Sequence, residues 1–191
     1  DAEAHASSSS SSSRPAMYYT AMCFAPGGRF VLVGTKEGHL QILDTAAGVA
    51  VYEKLYAHGG SNKGGKNGGA GGGEDGAYDG LSEAVLATAS SPAAVWSLAV
   101  RPDGKGFASG GADKVVRFWD FTISGTGLGM TYNRELVMPH DVLCVRYSPT
   151  QSERHLLVSV GLLDNTVRIF FDDSLKFFLT LYGHKLPVMC L

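Results

Sequence analysis

Apolar side chains in this chain fall in short β-branched and aromatic runs bounded by Gly, Pro and Asp. Typical runs are Val95-Trp-Ser-Leu-Ala-Val100, Gly106-Phe-Ala-Ser-Gly110 and Val115-Val-Arg-Phe-Trp119. Such short runs, rich in β-branched and aromatic residues and bounded by turn residues, predict strands. No segment keeps an apolar period of 3.6 residues over three turns, so helices are not predicted. Three stretches do not fit the strand pattern. Residues 1–16 contain the serine tract Ser7 to Ser13 and read as a disordered leader. The glycine-rich stretch that starts at Gly59 reads as a flexible insertion. Ser124 to Tyr132, with Gly125, Gly127 and Gly129, reads as a shorter loop of the same kind.

Aligned with one another, the strand runs reveal an internal repeat of four strands, A to D. The first unit runs from Ala21 through Phe30-Val-Leu-Val-Gly34 and Leu40-Gln-Ile-Leu-Asp44 to Val51-Tyr-Glu-Lys-Leu-Tyr56. The second begins at Val95, passes Trp119-Asp120 at the end of its strand C, and finishes with Arg134-Glu-Leu-Val-Met138. The third runs from Val142 through Leu156-Leu-Val-Ser159 and Asp164-Asn-Thr-Val-Arg-Ile-Phe-Phe171 to Gly183-His184. Val188-Met-Cys-Leu191 begins a fourth. The chain is thus divided into a leader over 1–16, a blade over 17–58, an insertion over 59–93, blades over 94–140 and 141–184, and the start of another over 185–191. It begins without Met and ends inside an apolar run, and we read it as a fragment.

The turns Pro26-Gly-Gly and Pro102-Asp-Gly, with Trp119-Asp120 and Gly183-His184, resemble the WD40 repeat. The resemblance implies an all-β fold, a partial WD40 propeller of about three blades plus the first strand of a fourth. It also implies a buried chain of hydrogen bonds within a blade: a His before strand A, a Ser on strand B, an Asp in the B–C turn and a Trp on strand C. The second unit offers His58, Ser109, Asp113 and Trp119 for this structural network. The third offers His140, Ser159 and Asp164, but has Phe170-Phe171 where Trp-Asp is expected, and His184 precedes the fourth. The first has Val33 and Glu37 at the Ser and Asp positions. Cys23, Cys144 and Cys190 align with small residues on strand A and are expected to be buried packing residues.

The chain has 191 residues, 16 basic and 18 acidic, with a formal net charge of −2. Such balance excludes a domain-wide basic footprint for sequence-independent nucleic-acid binding. No apolar run is long enough to span a bilayer, and neither a membrane partner nor a small-molecule substrate is expected. Ser, His and Asp could suggest a hydrolase triad, but the set recurs from unit to unit and lacks a nucleophile elbow. Catalytic residues are therefore not assigned, and no cofactor is expected. No metal site is assigned either, because His58, His140 and His184 fall in different units without a second ligand close in sequence. Gly60-Ser-Asn-Lys-Gly-Gly-Lys66 matches GxxxxGK, yet Asn67 stands where Ser or Thr belongs and no helix can follow through Gly68 to Gly73.

Longer strings are more specific. Asp141-Val-Leu-Cys-Val-Arg-Tyr-Ser-Pro149, Asn165-Thr-Val-Arg-Ile-Phe170 and Ser174-Leu-Lys-Phe-Phe-Leu-Thr-Leu-Tyr-Gly-His-Lys-Leu-Pro-Val-Met-Cys-Leu191 resemble the WD repeat protein three family. It is also known as the U3 small nucleolar RNA-associated protein twelve family. Leu32 to Asp44 and Gly106 to Phe121 resemble it too. The resemblance implies a nucleolar, non-catalytic scaffold of the small-subunit processome, acting in pre-rRNA processing and 18S rRNA maturation. Its implied partners are other WD40 proteins of one subcomplex, the U3 ribonucleoprotein and pre-rRNA. The alternative is a WD40 adaptor for protein partners in another pathway. Neither reading identifies partner-binding residues.

Overall fold

The computed structural model describes residues 17–59, 92–125, 127–149 and 156–191. The serine tract and the GxxxxGK string lie outside them. Among the described residues, twelve strands form three antiparallel sheets. The first holds β1 (Tyr19–Phe24), β2 (Phe30–Thr35), β3 (Leu40–Asp44) and β4 (Val49–Lys54). The second holds β5 (Val95–Val100), β6 (Gly106–Gly111), β7 (Val115–Ser124) and β8 (Gly127–Val137). The third holds β9 (Val142–Tyr147), β10 (Leu157–Leu162), β11 (Val167–Phe171) and β12 (Phe177–Leu181). In each sheet the strands lie side by side in chain order, the meander of a propeller blade. This is the all-β, partial-propeller architecture that the WD40 resemblance implies.

Register repeats from blade to blade. Ala21 pairs with Gly34, Ser97 with Gly110 and Cys144 with Gly161. Ahead of each pair the first strand carries one extra residue, Thr20, Trp96 or Leu143, which forms a β-bulge. The three glycines have a common task. A Cβ on Gly34 would lie 2.6 Å from Val95 Cγ1, and one on Gly161 would lie 2.9 Å from the Val188 carbonyl oxygen. A Cβ on Gly110 would overlap Val142. The second strand of each blade thus carries a glycine where the next segment approaches too closely for any side chain.

Two cores lie between blades. Leu32, Leu40 and Ile42 of the first blade meet Val95, Leu98, Phe107, Trp119 and Met130 of the second. Ala99, Ala108, Val116 and Phe118 leave the second blade's opposite face to meet Val142, Val145, Val158, Val160, Leu162 and Phe170. Strand β6 is consequently buried at every position, because alternate residues serve opposite cores. An ion-pair cluster reinforces the second contact. Asp172, 3% exposed, lies 3.3 Å from Arg101 Nη2 and 3.2 Å from Arg134 Nη2 of the second blade.

The structure corrects three expectations. Ser124 to Tyr132 is not a loop: β7 and β8 continue past Trp119-Asp120 as a long hairpin, with register running to Ser124↔Gly127. Gly127 and Gly129 are strand residues there, and a Cβ on Gly129 would lie 2.9 Å from Thr122 Oγ1. Cys190 is exposed, whereas Cys144 is buried and Cys23 partly so. Residues 188–191 have no paired strand among the described residues, so Cys190 lacks the cover that a β-ladder gives Cys144.

Substituting Gly110 with Ala is expected to lower stability by about 1–3 kcal/mol through overpacking against Val142, measured by urea unfolding. Gly125→Ala, with open space around it, should change stability far less, and adding Val142→Ala to Gly110→Ala should recover part of the loss.

Candidate functional site

The second blade contains the most developed polar arrangement. His58 stands at the end of the first blade's sequence, yet its ring is fully buried against the second. Its Nε2 lies 2.7 Å from Ser109 Oγ on β6, and its Nδ1 lies 2.8 Å from Asp113 Oδ1 in the β6–β7 turn. Trp119 Nε1 donates to Ser109 Oγ over 2.9 Å. One proton arrangement satisfies the set: indole N–H to hydroxyl, hydroxyl to Nε2, and Nδ1–H to carboxylate. Arg117 Nη1 donates to the other Asp113 oxygen, which also accepts the Gly59 N–H at 3.2 Å.

The electrostatics match this proton arrangement. Burial pushes the His58 pKa below its ordinary value, outweighing the attraction of Asp113, so the ring is neutral. Burial alone would raise the Asp113 pKa. The hydrogen bonds from His58 and Arg117 and the charge of Arg117 overcome this and hold the carboxyl well below the usual range. Although Ser, His and Asp stand at triad distances, Ser109 and His58 are 0% exposed and the hydroxyl already accepts the indole proton. The hydroxyl is closed to a substrate, so the arrangement can fasten strands but cannot attack a bond.

The third blade differs, and Ser159 requires a correction. Ser109 pairs with Leu98 and Ser159 pairs with Arg146, but the position that matches Ser109 is Val160, which pairs with Val145. A slip of one residue turns a side chain to the other face, so Ser159 does not meet His140. Val160 and Phe170 stand where the second blade has Ser109 and Trp119, both buried in the apolar core. His140 therefore has no hydroxyl to reach. Its side chain is 49% exposed and its Nε2 is 3.7 Å from Asp164 Oδ2, an ion-pair distance without a hydrogen bond. Thr166 takes Asp164 Oδ1 through its backbone N–H and its hydroxyl, whereas Val115, at the matching position, leaves Asp113 free for His58. His184 is exposed beyond β12. In the first blade Val33 is buried, Glu37 holds the turn position with its Oε2 buried and unpartnered, and Gln41 donates to Glu53.

Sequence reasoning missed Arg117. Its signal was present: an Asp–Arg pair spaced i,i+4 occurs as Asp113–Arg117 and again as Asp164–Arg168, where the distance is 3.9 Å. Asp172, with Arg101 and Arg134, was also missed, because contacts between blades leave no periodic trace. Among the described residues, no three His, Cys, Asp or Glu side chains gather as metal ligands.

Comparison with known proteins places this geometry. Residues 83–120 match the model of the WD domain, G-beta repeat. These bounds take in Ser109, Asp113 and Trp119. Over 176 residues, 88% of the chain, it is 41% identical to WD repeat-containing protein 3 of Homo sapiens. The chain belongs to the WD repeat-containing protein 3 family. Within that family it is 39% identical to the Mus musculus protein over 91% of the chain. It is 37% identical to U3 small nucleolar RNA-associated protein 12 of Saccharomyces cerevisiae over 90%. It spans only 15% of the mouse and human proteins and 16% of the yeast one. The solved WD40 repeats of RRP9 superpose with a TM-score of 0.62 at 14% identity, covering 91% of this chain and 41% of that one. U3-55K superposes with a TM-score of 0.61 at 15% identity, covering 91% and 42%. Both show the propeller fold.

Replacing Ser109 with Ala strands two buried partners and is expected to cost about 1–3 kcal/mol. Ser109→Val with Trp119→Phe copies the third blade and should cost less than the two single losses summed, as read by urea unfolding. Acidification should also destabilise the blade. The His58 pKa is lowered on folding, so the unfolded chain binds more protons as pH falls through about 6.5. The lowered Asp113 pKa adds a further loss below about pH 4. His58→Gln should flatten the first part of this profile.

Proposed function

We propose that this segment is part of a non-catalytic scaffold of the small-subunit processome, working in the nucleolus in pre-rRNA processing and 18S rRNA maturation. The supporting observation is the 37–41% identity to WD repeat-containing protein 3 and U3 small nucleolar RNA-associated protein 12 along most of the chain. Other WD40 proteins of one subcomplex, the U3 ribonucleoprotein and pre-rRNA are the partners this reading supplies. Blades tied by buried cores, with irregular segments at their ends, suit presentation of rims and turns to large partners. In this reading the His58–Ser109–Asp113–Trp119 chain is structural and locks the second blade. Residues 185–191 open a further blade, since Val188 meets Gly161 much as Val95 meets Gly34.

The test is native purification of the tagged full-length protein and sequencing of the RNA that accompanies it. Enrichment of U3 RNA and the 5′ pre-rRNA spacer above an unrelated nucleolar control is the expected result. Absence of both would replace the processome reading with that of a WD40 adaptor.

A further inference from the structure

The β7–β8 hairpin extends beyond its own sheet. The β6–β7 ladder ends at Gly106↔Asp120, whereas β7 stays paired to β8 through Ser124. The Phe121 N–H donates to the Lys105 carbonyl over 2.8 Å, so this residue directs its backbone to the β6 side. Strand alternation places the N–H and C=O of Ile123 on the same side, past the last β6 residue. The Ile123 side chain is 92% exposed. The arm has a firm base, because Phe121, Leu128 and Met130 pack into the core shared with Tyr52 and Phe30 of the first blade. A groove of about 740 Å³ runs beside this edge, bounded by Pro26, Phe30, Lys105, Phe121, Ile123 and Leu128.

The charges along the groove are unequal. Lys105 is exposed and has no carboxylate within ion-pair distance among the described residues. Arg101 also borders the groove, and its Nε is buried without a hydrogen-bond acceptor while Nη2 holds Asp103 and Asp172. The carboxylate present, Asp120, is engaged by Asn133 Nδ2 at 2.6 Å.

We propose that this edge is a docking site for a partner protein's extended segment, which adds as a strand beside Phe121–Ile123 with acidic side chains directed to Lys105. Main-chain hydrogen bonds hold the segment, alternate apolar side chains enter the groove, and the charge selects carboxylates.

The test uses the full-length protein and a synthetic peptide of alternating valine and threonine, capped at both ends by glutamate. The expected result is saturable binding with slowed hydrogen exchange at the Ile123 amide. Methylating alternate peptide nitrogens should weaken binding at least about tenfold, and Lys105→Glu about fivefold. Ile123→Pro removes the edge donor and should abolish binding, while Ile123→Ala should retain most of it. Equal binding of the methylated peptide, or of a lysine-capped one, would overturn the proposal. So would Ile123 protection that grows with protein concentration alone, which marks a second copy on the edge, or protection by single-stranded RNA but not by the peptide.

Discussion

The close approach of each blade to the one before it is the constraint on which the rest depends. Gly34 and Gly110 admit Val95 and Val142 at distances that forbid a Cβ, and this brings whole sheets face to face. Once that spacing is set, a strand with a blade on either side, as β6 has, must bury both faces. The second blade satisfies this with alternate residues, Phe107 and Trp119 to one side and Ala108 and Phe118 to the other. Stability therefore resides between blades rather than within them, and a sheet removed from its neighbours would expose a core on each face.

Polar groups caught in this packing have two stable solutions, and the chain uses both. The second blade completes a chain of donors and acceptors from Trp119 to Asp113. The third removes the buried hydroxyl and indole together and fills the positions with Val160 and Phe170. Either is acceptable, because the cost attaches to a buried donor or acceptor left without its partner. The exposed His140 follows from the second solution.

The repeat was legible because strands, turns and small residues recur at fixed spacing. The WD40 resemblance pointed to His58, Ser109, Asp113 and Trp119 together, and the structure holds them at hydrogen-bond distances. Ser159 was misplaced because Leu156-Leu-Val-Ser159 aligns by eye with Gly106-Phe-Ala-Ser109, and a residue count cannot detect a strand that starts one position later. The long hairpin was missed because its glycines resemble loop punctuation. Gly127 and Gly129 are strand residues, and Gly129 makes room for Thr122. Asp172 was beyond reach, since its arginines come from another blade and no local pattern joins them.

His58 belongs by sequence to one blade and by contact to the next. Tension applied along the chain would therefore not separate these two blades as independent links. To free the first strand group, a pulling force must first extract a neutral imidazole from its sealed socket and break the Gly59 bond to Asp113. The junction thus acts as a mechanical clasp.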